Sequence, residues 1–422
     1  MRCERFALPA GGDPAAAAAH VRDLVPSPRS VQDAVSEIIA QVRAGGDEAV
    51  HEYSRRFDTG GTEPLALELT EAELDHAAAA LDRAIAHGLL RAIENVGAVA
   101  HAAQREPEIA LDLGSHRVAV RSAPVDRAAV YVPGGRAPYP STVVMGVVTA
   151  RAAGVTDVAV CAPPGATGDI DPVVLAACKL TQATSVYRMG GAQAIAALAY
   201  GTETVTPVDV IVGPGNLYVQ EAKRQVFGHV GIDGFAGPSD LLLIADGGSD
   251  TGPLALDLLA QAEHGPGTLV VALSTSQRLL GDLQARLDPA PDTAAVACLI
   301  NADDHEQALA FAQAFAPEHI QLVGLHAEAL AARVTHAGCV FVGPQAGTAF
   351  GDYIAGSNHI LPTNGAARYA SSLSPLHFTR SFTEVRIADP GELARAAAPV
   401  ARAEGFAVHA ESMEARIRDN GE

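Results

Sequence analysis

Short, continuous apolar runs recur between residues 128 and 342, and each is followed by a turn and a helix-like segment. The predicted strands lie at 128–132, 158–161, 185–187, 208–212, 241–244, 269–273, 295–300 and 339–342. Short apolar strands that alternate with helices are typical of mostly parallel sheets covered on both faces. Because the strands are too many for one small sheet, the sequence predicts two Rossmann-like α/β units.

The segments on either side of these strands have different patterns. Residues 28 to about 105 read as helical, whereas the strand rhythm is lost from about Pro375. The last segment predicts two helices separated by a break at Gly405. We therefore predict an N-terminal arm over 1–27, one α/β unit over 28–130 and 239–372, a second over 131–238, and a tail over 373–422. Gly237-Pro238 is the predicted crossing point between the two units.

Composition narrows the class of protein. A hydrophobic content of 48% allows large cores, and a formal charge of −20 argues against nucleic acid, whose phosphates recruit Lys and Arg. We expect no membrane partner, because no apolar run approaches the roughly 18 residues of a spanning helix. No basic region precedes the alanine run at 15–19, which argues against a signal peptide. Five sparse cysteines without ribbon-like spacing indicate a reducing compartment, so we predict a cytoplasmic protein.

Several polar side chains are of the kinds that Zn²⁺ accepts as ligands. Gln261 and His264 lie three residues apart near the end of a predicted helix, so they share one face. Asp352 follows a predicted buried strand, and Glu404 and His409 lie five residues apart in the tail. Taken alone, the first pair reads better as an interfacial contact and the last as solvated residues. If all of them converge, they form a zinc site with acid/base groups beside it.

Glu318 and His319 form an adjacent carboxyl and imidazole between a predicted helix and a predicted strand. Imidazole titrates near neutral pH and suits proton transfer, while a carboxylate polarises water. From these two residues alone, a surface dipeptide without a role is an equally good interpretation. His359 ends a polar, glycine-rich segment and is a candidate substrate contact, since ligand sites favour loops that follow parallel strands.

Three glycine-rich loops follow predicted strands, at 131–135, 189–193 and 212–216. Each leads into a helix, and a helix N-terminus can hold a phosphate. None matches the dinucleotide fingerprint GxGxxG. The loops therefore indicate nucleotide binding in general and do not identify NAD.

Ten blocks of sequence, in order, resemble the histidinol dehydrogenase family from about residue 125 to the end, while residues 1–110 resemble it only loosely. The blocks are YVPGGRAPYPSTVVM, RMGGAQAIAALAYGTE, VDVIVGPGN, EAKRQV, AGPSD, QAEHGP, PEHIQL, AGCVFVGP, GDYIAGSNHILPT and EGFAVHAES. The resemblance implies a zinc-dependent enzyme that oxidises L-histidinol to L-histidine through L-histidinaldehyde with two NAD. These are the last two steps of histidine biosynthesis.

The resemblance also implies roles for individual residues and for the predicted domains. Zinc, one per subunit, would be held by Gln261, His264, Asp352 and His409. The catalytic pair would be Glu318 and His319, the other substrate contacts Ser239, His359 and Glu404, and the NAD contacts Tyr131, Gln193 and Asn216. His319 and the four metal ligands would also contact substrate. Residues 131–238 would bind NAD, 28–130 with 239–372 would bind metal and substrate, and the tail would complete the neighbouring subunit's site in a homodimer.

In the expected chemistry, His319 takes the alcohol proton as hydride passes to NAD, and Glu318 then activates water for the second oxidation. Water is the expected nucleophile, because the cysteines lie in apolar runs and a thiol route needs an exposed, activated one. The nearest alternative is a dehydrogenase of the same fold and cofactors that oxidises another small primary alcohol. A zinc hydrolase, in which Glu318 activates metal-bound water, and a zinc-stabilised scaffold without activity are further alternatives.

Overall fold

The computed structural model describes residues 1–9, 11–25, 31–63, 65–134, 137–234 and 239–417. Its strands are β1 (Arg2–Ala7), β2 (Glu108–Asp112), β3 (His116–Pro124), β4 (Arg127–Tyr131), β5 (Asp157–Ala162), β6 (Ser185–Arg188), β7 (Val210–Val212), β8 (Gly231–Ile232), β9 (Asp240–Ala245), β10 (Leu269–Ser274), β11 (Val296–Asn301), β12 (His319–Val323), β13 (Cys339–Val342) and β14 (Thr379–Ile387). Its helices are α1 (Pro14–Arg22), α2 (Gln32–Phe57), α3 (Glu71–Ala80), α4 (Arg83–Ala102), α5 (Pro140–Ala152), α6 (Pro172–Leu180), α7 (Gly191–Tyr200), α8 (Leu217–Val226), α9 (Thr251–Ala262), α10 (Gln277–Leu287), α11 (His305–Phe315), α12 (Leu325–Glu328), α13 (Ala349–Tyr353), α14 (Gly391–Ala403) and α15 (Ala407–Glu414). The predicted crossing point at Gly237-Pro238 lies outside the described residues.

The chain forms two compact units, Met1–Ala103 with Asp126–Phe378 and Gln104–Val125 with Thr379–Glu422. The first unit contains a five-stranded sheet in the order β6-β5-β4-β7-β8, and every neighbouring pair in it is parallel. Its strands are buried almost throughout, and α2 packs against α7 to close one face. The chain winds outward from β4 to β6 and then returns to the other side of β4, which creates a switch point between β4 and β7.

The first unit also contains a six-stranded parallel sheet in the order β1-β11-β10-β9-β12-β13. Its central strand β9 is completely apolar after Asp240, and apolar side chains of α9, α10 and α11 cover its two faces. Winding outward from β9 to β11 and back to β12 repeats the topology of the smaller sheet. Its switch point lies between β9 and β12. The first strand of the chain extends this sheet by pairing with β11.

The predicted mainly parallel α/β fold is confirmed, and the predicted apolar strands correspond to β4–β7, β9–β11 and β13. The second unit holds an antiparallel sheet, β14-β3-β2, which the sequence analysis missed. The two helices predicted in the tail are present as α14 and α15, and they are preceded by β14, whose mostly polar and exposed residues give no strand pattern in the sequence. The break at Gly405 is present, with φ at 86° between α14 and α15.

The predicted site residues lie at opposite edges of the two parallel sheets, at the carboxyl ends of the strands in one and at the amino ends in the other. The glycine-rich loops follow β4, β6 and β7 at the carboxyl ends of the smaller sheet. Ser239 and Glu318 instead precede β9 and β12, at the amino ends of the larger sheet. Within the described ranges, every helix is too short or too polar to cross a bilayer. The proposed domain boundaries are not tested by this division and stay predictions.

Candidate active site

One cavity of about 1660 Å³ in the first unit is lined by residues from both of these edges. The predicted site residues on its wall are Tyr131, Gln193, Asn216, Ser239, His264, Glu318, His319, Asp352 and His359. Gln261 lies behind this wall and donates its amide to the Ser239 hydroxyl. Glu404 and His409 belong to the second unit, where both are exposed. The structure thus brings all but two of the predicted site residues together.

Glu318 ends the turn that leads into β12, and the residue is 7% exposed. Its Oε2 atom accepts hydrogen bonds from the Ser239 hydroxyl and, at 3.0 Å, from the Asp240 amide. The Glu318 amide donates in return to Asp240 Oδ1 at 2.7 Å. Burial raises the pKa of Glu318 well above its usual range, and the neighbouring Asp240 carboxylate raises it further. The carboxyl group is therefore held at a fixed and largely buried position on the cavity wall.

His319 is 3% exposed and lies between two carboxyl groups. Its Nε2 is 3.7 Å from Asp352 Oδ1, and its Nδ1 is 3.8 Å from Glu318 Oε2. Among the described residues, nothing forms a hydrogen bond with the buried Nδ1. Burial lowers the pKa of His319 to about 3, with His264 contributing. The imidazole is therefore neutral at physiological pH and able to accept a proton.

Gln261 and His264 project from the last turn of α9 and the residues after it. His264 Nδ1 lies 3.0 Å from the Gln261 carbonyl oxygen, which assigns the proton to Nδ1 and leaves Nε2 as the acceptor nitrogen. Metal-binding histidines commonly donate their other ring N–H to a backbone carbonyl in this way. Because Gln261 donates its amide N–H to Ser239, its amide oxygen is the atom able to ligate.

Asp352 and His359 complete this side of the cavity. Burial raises the pKa of Asp352 to about 6, and the nearby His264 opposes the shift. His359 Nδ1 lies 2.9 Å from the Asp352 carbonyl oxygen, and its Nε2 lies 3.1 Å from the Thr142 hydroxyl. Burial lowers the pKa of His359 to about 4. Since both of its ring nitrogens have partners, His359 fixes the short helix α13 that carries Asp352.

The donor atoms can be compared with what a metal requires. Across the described residues, no group of three or more His, Cys, Asp or Glu side chains is arranged to hold a metal ion by itself. Gln261, His264 and Asp352 offer an amide oxygen, an imidazole nitrogen and a carboxylate oxygen. Zn²⁺ accepts nitrogen and oxygen donors, so this partial set fits the ion chemically and needs a further ligand to complete four.

The opposite wall is formed by backbone that only glycine can supply. Gly213 has φ of 118°, and a Cβ there would lie 2.1 Å from the Tyr131 carbonyl oxygen. The Tyr131 hydroxyl accepts a hydrogen bond from the Gly191 amide at 3.1 Å, at the start of α7. Asn216 caps α8 by accepting from the amides of the first turn. Two helix N-termini therefore open on the cavity, as phosphate binding requires.

The sequence analysis missed several buried charged groups that support the site. Asp58, at the end of α2, accepts from Gln193 Nε2 at 3.3 Å, and burial raises its pKa to about 6. Lys223 lies beneath the Gly213 loop and pairs with Asp233. Arg22 pairs with Asp240 although 218 residues separate them. No local pattern marks such partners, because the fold alone brings them together.

The sequence and the fold were compared with those of known proteins, and both match one enzyme family. The sequence model of the histidinol dehydrogenase family matches residues 25–417. The histidinol dehydrogenase of Parasynechococcus marenigrum is 42% identical over 404 residues, and that of Aromatoleum aromaticum is 43% identical over 404 residues, each covering 92% of both chains. The crystal structure of histidinol dehydrogenase from Elizabethkingia anophelis matches with a TM-score of 0.88 at 29% identity, covering 99% of this chain and 98% of that one. The chain belongs to the histidinol dehydrogenase family.

Proposed function

We propose that this protein oxidises L-histidinol to L-histidine through L-histidinaldehyde, with the reduction of two NAD, as the last two steps of histidine biosynthesis. One observation carries the proposal. A single cavity brings the Glu318–His319 pair and the donors His264 and Asp352 to face glycine-bearing helix N-termini. An acid/base pair opposite a nucleotide-binding wall suits hydride removal from an alcohol.

For NAD, we infer contacts with Tyr131, Gln193 and Asn216. All three lie on the cavity wall beside the N-termini of α7 and α8, whose amides favour a pyrophosphate. When bound there, NAD accepts the hydride in each oxidation. The glycine-bearing wall also counts against a hydrolase, which has no use for a dinucleotide.

For zinc, we infer one ion per subunit held by Gln261, His264, Asp352 and His409. The mixed nitrogen and oxygen donor set supports this assignment, as does the Nδ1-protonated form of His264. When bound, the ion would orient histidinol, whose imidazole and amine are good nitrogen ligands. Ser239, Glu404 and His359 would make or support the remaining substrate contacts.

In the alcohol step, His319 acts as general base. Its neutral imidazole accepts the hydroxyl proton of histidinol while the carbon loses a hydride, which leaves the aldehyde. The low pKa of about 3 keeps the imidazole unprotonated before the reaction. The nearby Asp352 carboxylate favours the imidazolium that forms.

In the aldehyde step, Glu318 acts on water. Its carboxylate takes a proton as the water oxygen adds to the aldehyde carbon, and the His319 imidazolium left by the alcohol step gives its proton to the aldehyde oxygen, which forms the hydrate. The neutral His319 then takes a hydroxyl proton from the hydrate as the second hydride leaves. A thiol route has little support, since the described cavity wall includes no cysteine and burial raises the pKa of Cys178 and Cys298 to about 12. A set of Cys→Ala variants that lost the aldehyde step would contradict this mechanism.

For the assembly, we infer a homodimer in which the tail supplies Glu404 and His409 to the neighbouring subunit's site. Phe406 and Val408 beside them are 54% and 74% exposed, which favours docking on a further surface. Mixing inactive His319→Asn and His409→Ala subunits tests this, since a shared site forms one intact centre in a mixed dimer. Recovery up to about a quarter of wild-type activity supports sharing, and no recovery contradicts it. The cytoplasmic location predicted from sequence stays a prediction.

The proposed activity predicts a fixed stoichiometry. Purified protein is mixed with limiting L-histidinol and excess NAD, with and without a chelator, and NADH is counted. Two equivalents per histidinol, lost on chelation and restored by zinc, are expected. One equivalent would indicate an ordinary alcohol dehydrogenase with another substrate, and none would favour the hydrolase.

A further inference from the structure

The last residue of the N-terminal helix α1, Arg22, pairs with Asp240, which in turn forms hydrogen bonds with Glu318. The Arg22 side chain is 17% exposed, and its Nη1 donates to Asp240 Oδ2 at 3.2 Å. Asp240 is buried at 1% exposure and raised in pKa by that burial, which the Arg22 charge opposes. The ion pair is largely buried, and the second carboxylate oxygen of Asp240 accepts a different hydrogen bond.

Asp240 is also joined to Glu318 by two hydrogen bonds. Asp240 Oδ1 accepts from the Glu318 amide at 2.7 Å, and the Asp240 amide donates to Glu318 Oε2 at 3.0 Å. The two residues are neighbours at the amino ends of β9 and β12. The Arg22 guanidinium, the Asp240 carboxylate and the Glu318 backbone therefore form one chain of hydrogen bonds.

Arg22 also contacts the turn between α11 and Glu318. Its Nη2 donates to the carbonyl oxygen of Phe315 and, at 3.4 Å, to that of Ala316. Its guanidinium carbon lies 3.9 Å from the centre of the Phe315 ring. Ala316 has a left-handed φ of 48°, which is unfavourable for a residue other than glycine and must be held by its surroundings. These carbonyls end α11 two and three residues before Glu318.

We propose that Arg22 is a positioning residue for the Glu318–His319 pair, acting through Asp240 and through the turn at Phe315–Ala316. The expected effect of Arg22 on catalysis rests on the proposed function, whereas its expected effect on the position of Glu318 does not. A planar guanidinium can bridge a carboxylate and two carbonyls in one plane, which a lysine ammonium does less well. The N-terminal arm thereby contributes to the chemistry of a site more than 200 residues away in the chain.

The kinetic test uses Arg22→Met and Arg22→Lys, with Arg333→Met as the matched control. Arg333 forms a two-pronged pair with Glu306 at the other end of α11, away from the turn. Displacing a catalytic group by about 1 Å costs up to about 100-fold in rate, so we expect kcat of Arg22→Met to fall about 10- to 100-fold. Arg22→Lys should recover part of this loss, and Arg333→Met should stay within about twofold of wild type.

Two readouts separate positioning from general stability. L-histidinaldehyde supplied directly should be oxidised more slowly, relative to histidinol, by Arg22→Met, because Asp240 holds Glu318, the group proposed to activate water in the aldehyde step. NAD affinity, measured by calorimetry, should be unchanged. Equal loss in both half-reactions, in proportion to the folded fraction, would overturn the proposal.

A crystal structure of Arg22→Met or, if that variant does not fold, of Arg22→Lys tests the geometry without any substrate. The Glu318 carboxylate should leave the Asp240 amide while His264 and Asp352 stay in place. An unmoved Glu318 would overturn the proposal even if the protein oxidises histidinol. Conversely, a wild-type protein that does not reduce NAD with histidinol would refute the proposed function. The position of Glu318 in the variant crystal structure would then still test the positioning role of Arg22.

Discussion

The two parallel sheets of the first unit have the same winding but use opposite edges. In the smaller sheet, the switch point between β4 and β7 is open, and the glycine loops after these strands line the cavity. In the larger sheet, the equivalent point lies between β9 and β12, and Asp246, which follows β9, lies there close to Gly324, which follows β12. The two Asp246 carboxylate oxygens lie 2.7 Å from His305 Nε2 and 2.8 Å from the His326 amide.

This difference shows that topology offers a ligand site without requiring one to be used. Parallel sheets place ligand crevices at the carboxyl ends of strands on either side of a switch point. In the larger sheet the Asp246 carboxylate lies at that point, and the candidate substrate contact Ser239 and the candidate catalytic residue Glu318 lie at the amino ends instead. We therefore propose that one edge binds the cofactor and that the opposite edge of the other sheet performs the acid/base chemistry.

The largest expected effect comes from removing His319, the proposed general base at the amino edge. His319→Asn should lower kcat by about 100- to 10,000-fold, the usual contribution of a positioned base. NAD affinity should change less than about twofold, because the cofactor wall lies on the other sheet. Steady-state kinetics and calorimetry on the same preparation measure both. A loss of NAD binding equal to the loss of rate would contradict the division between the two edges.

Glycine substitutions compare the two carboxyl edges directly. Gly213→Ala should weaken NAD binding by 10-fold or more, since its Cβ would meet the Tyr131 backbone at 2.1 Å and φ is 118°. Gly248→Ala, in the loop after β9, should have little effect, because nothing lies within 4 Å of the added Cβ. Calorimetric titration with NAD distinguishes them. Equal weakening by both variants would mean that the cofactor also needs the closed edge.

Asp246 is predicted to matter for stability alone. Asp246→Asn should lower the free energy of unfolding by about 1–3 kcal/mol, because a charged acceptor of several hydrogen bonds is lost. Its kcat per folded molecule should match wild type. Urea unfolding and active-site titration are the measurements. A loss of kcat would show that the closed crevice communicates with the chemistry.

Asp58 and Asp246, one beside each switch point, should respond to pH in opposite directions. Burial raises the pKa of Asp58 to about 6, so its ionised form costs stability as pH rises through 6. Asp58→Asn should therefore be more stable than wild type by about 1–3 kcal/mol at pH 7.5, with the gap nearly gone at pH 4.

Asp246 provides the opposite control. Hydrogen bonds from His326 and His305 outweigh burial and lower the pKa of Asp246 below its usual 3.8. Its stabilising contribution is present above that value and is lost as the carboxyl group protonates at lower pH. Urea unfolding of both Asn variants between pH 3 and 8 tests the pair. The same sign for both would contradict the difference in their surroundings.

The sequence was informative where local patterns carry the structure. Continuous apolar strands followed by turns predicted both parallel sheets, whereas β14 was missed because an exposed antiparallel strand lacks that pattern. Spacing placed Gln261 beside His264, yet no pattern joins Arg22 to Asp240, since that contact arises only because α1 packs against α11. Ordered family blocks supplied roles for single residues that spacing left open.

The central claim is that NAD binds at the carboxyl edge of one sheet and catalysis occurs at the amino edge of the other. Its most direct test is calorimetric titration of NAD into wild-type, Gly213→Ala and His319→Asn proteins. The account predicts that His319→Asn binds NAD as wild type does while Gly213→Ala binds at least 10-fold more weakly, the expected consequence of that steric conflict. Wild-type affinity in Gly213→Ala, with binding lost in His319→Asn, would contradict it.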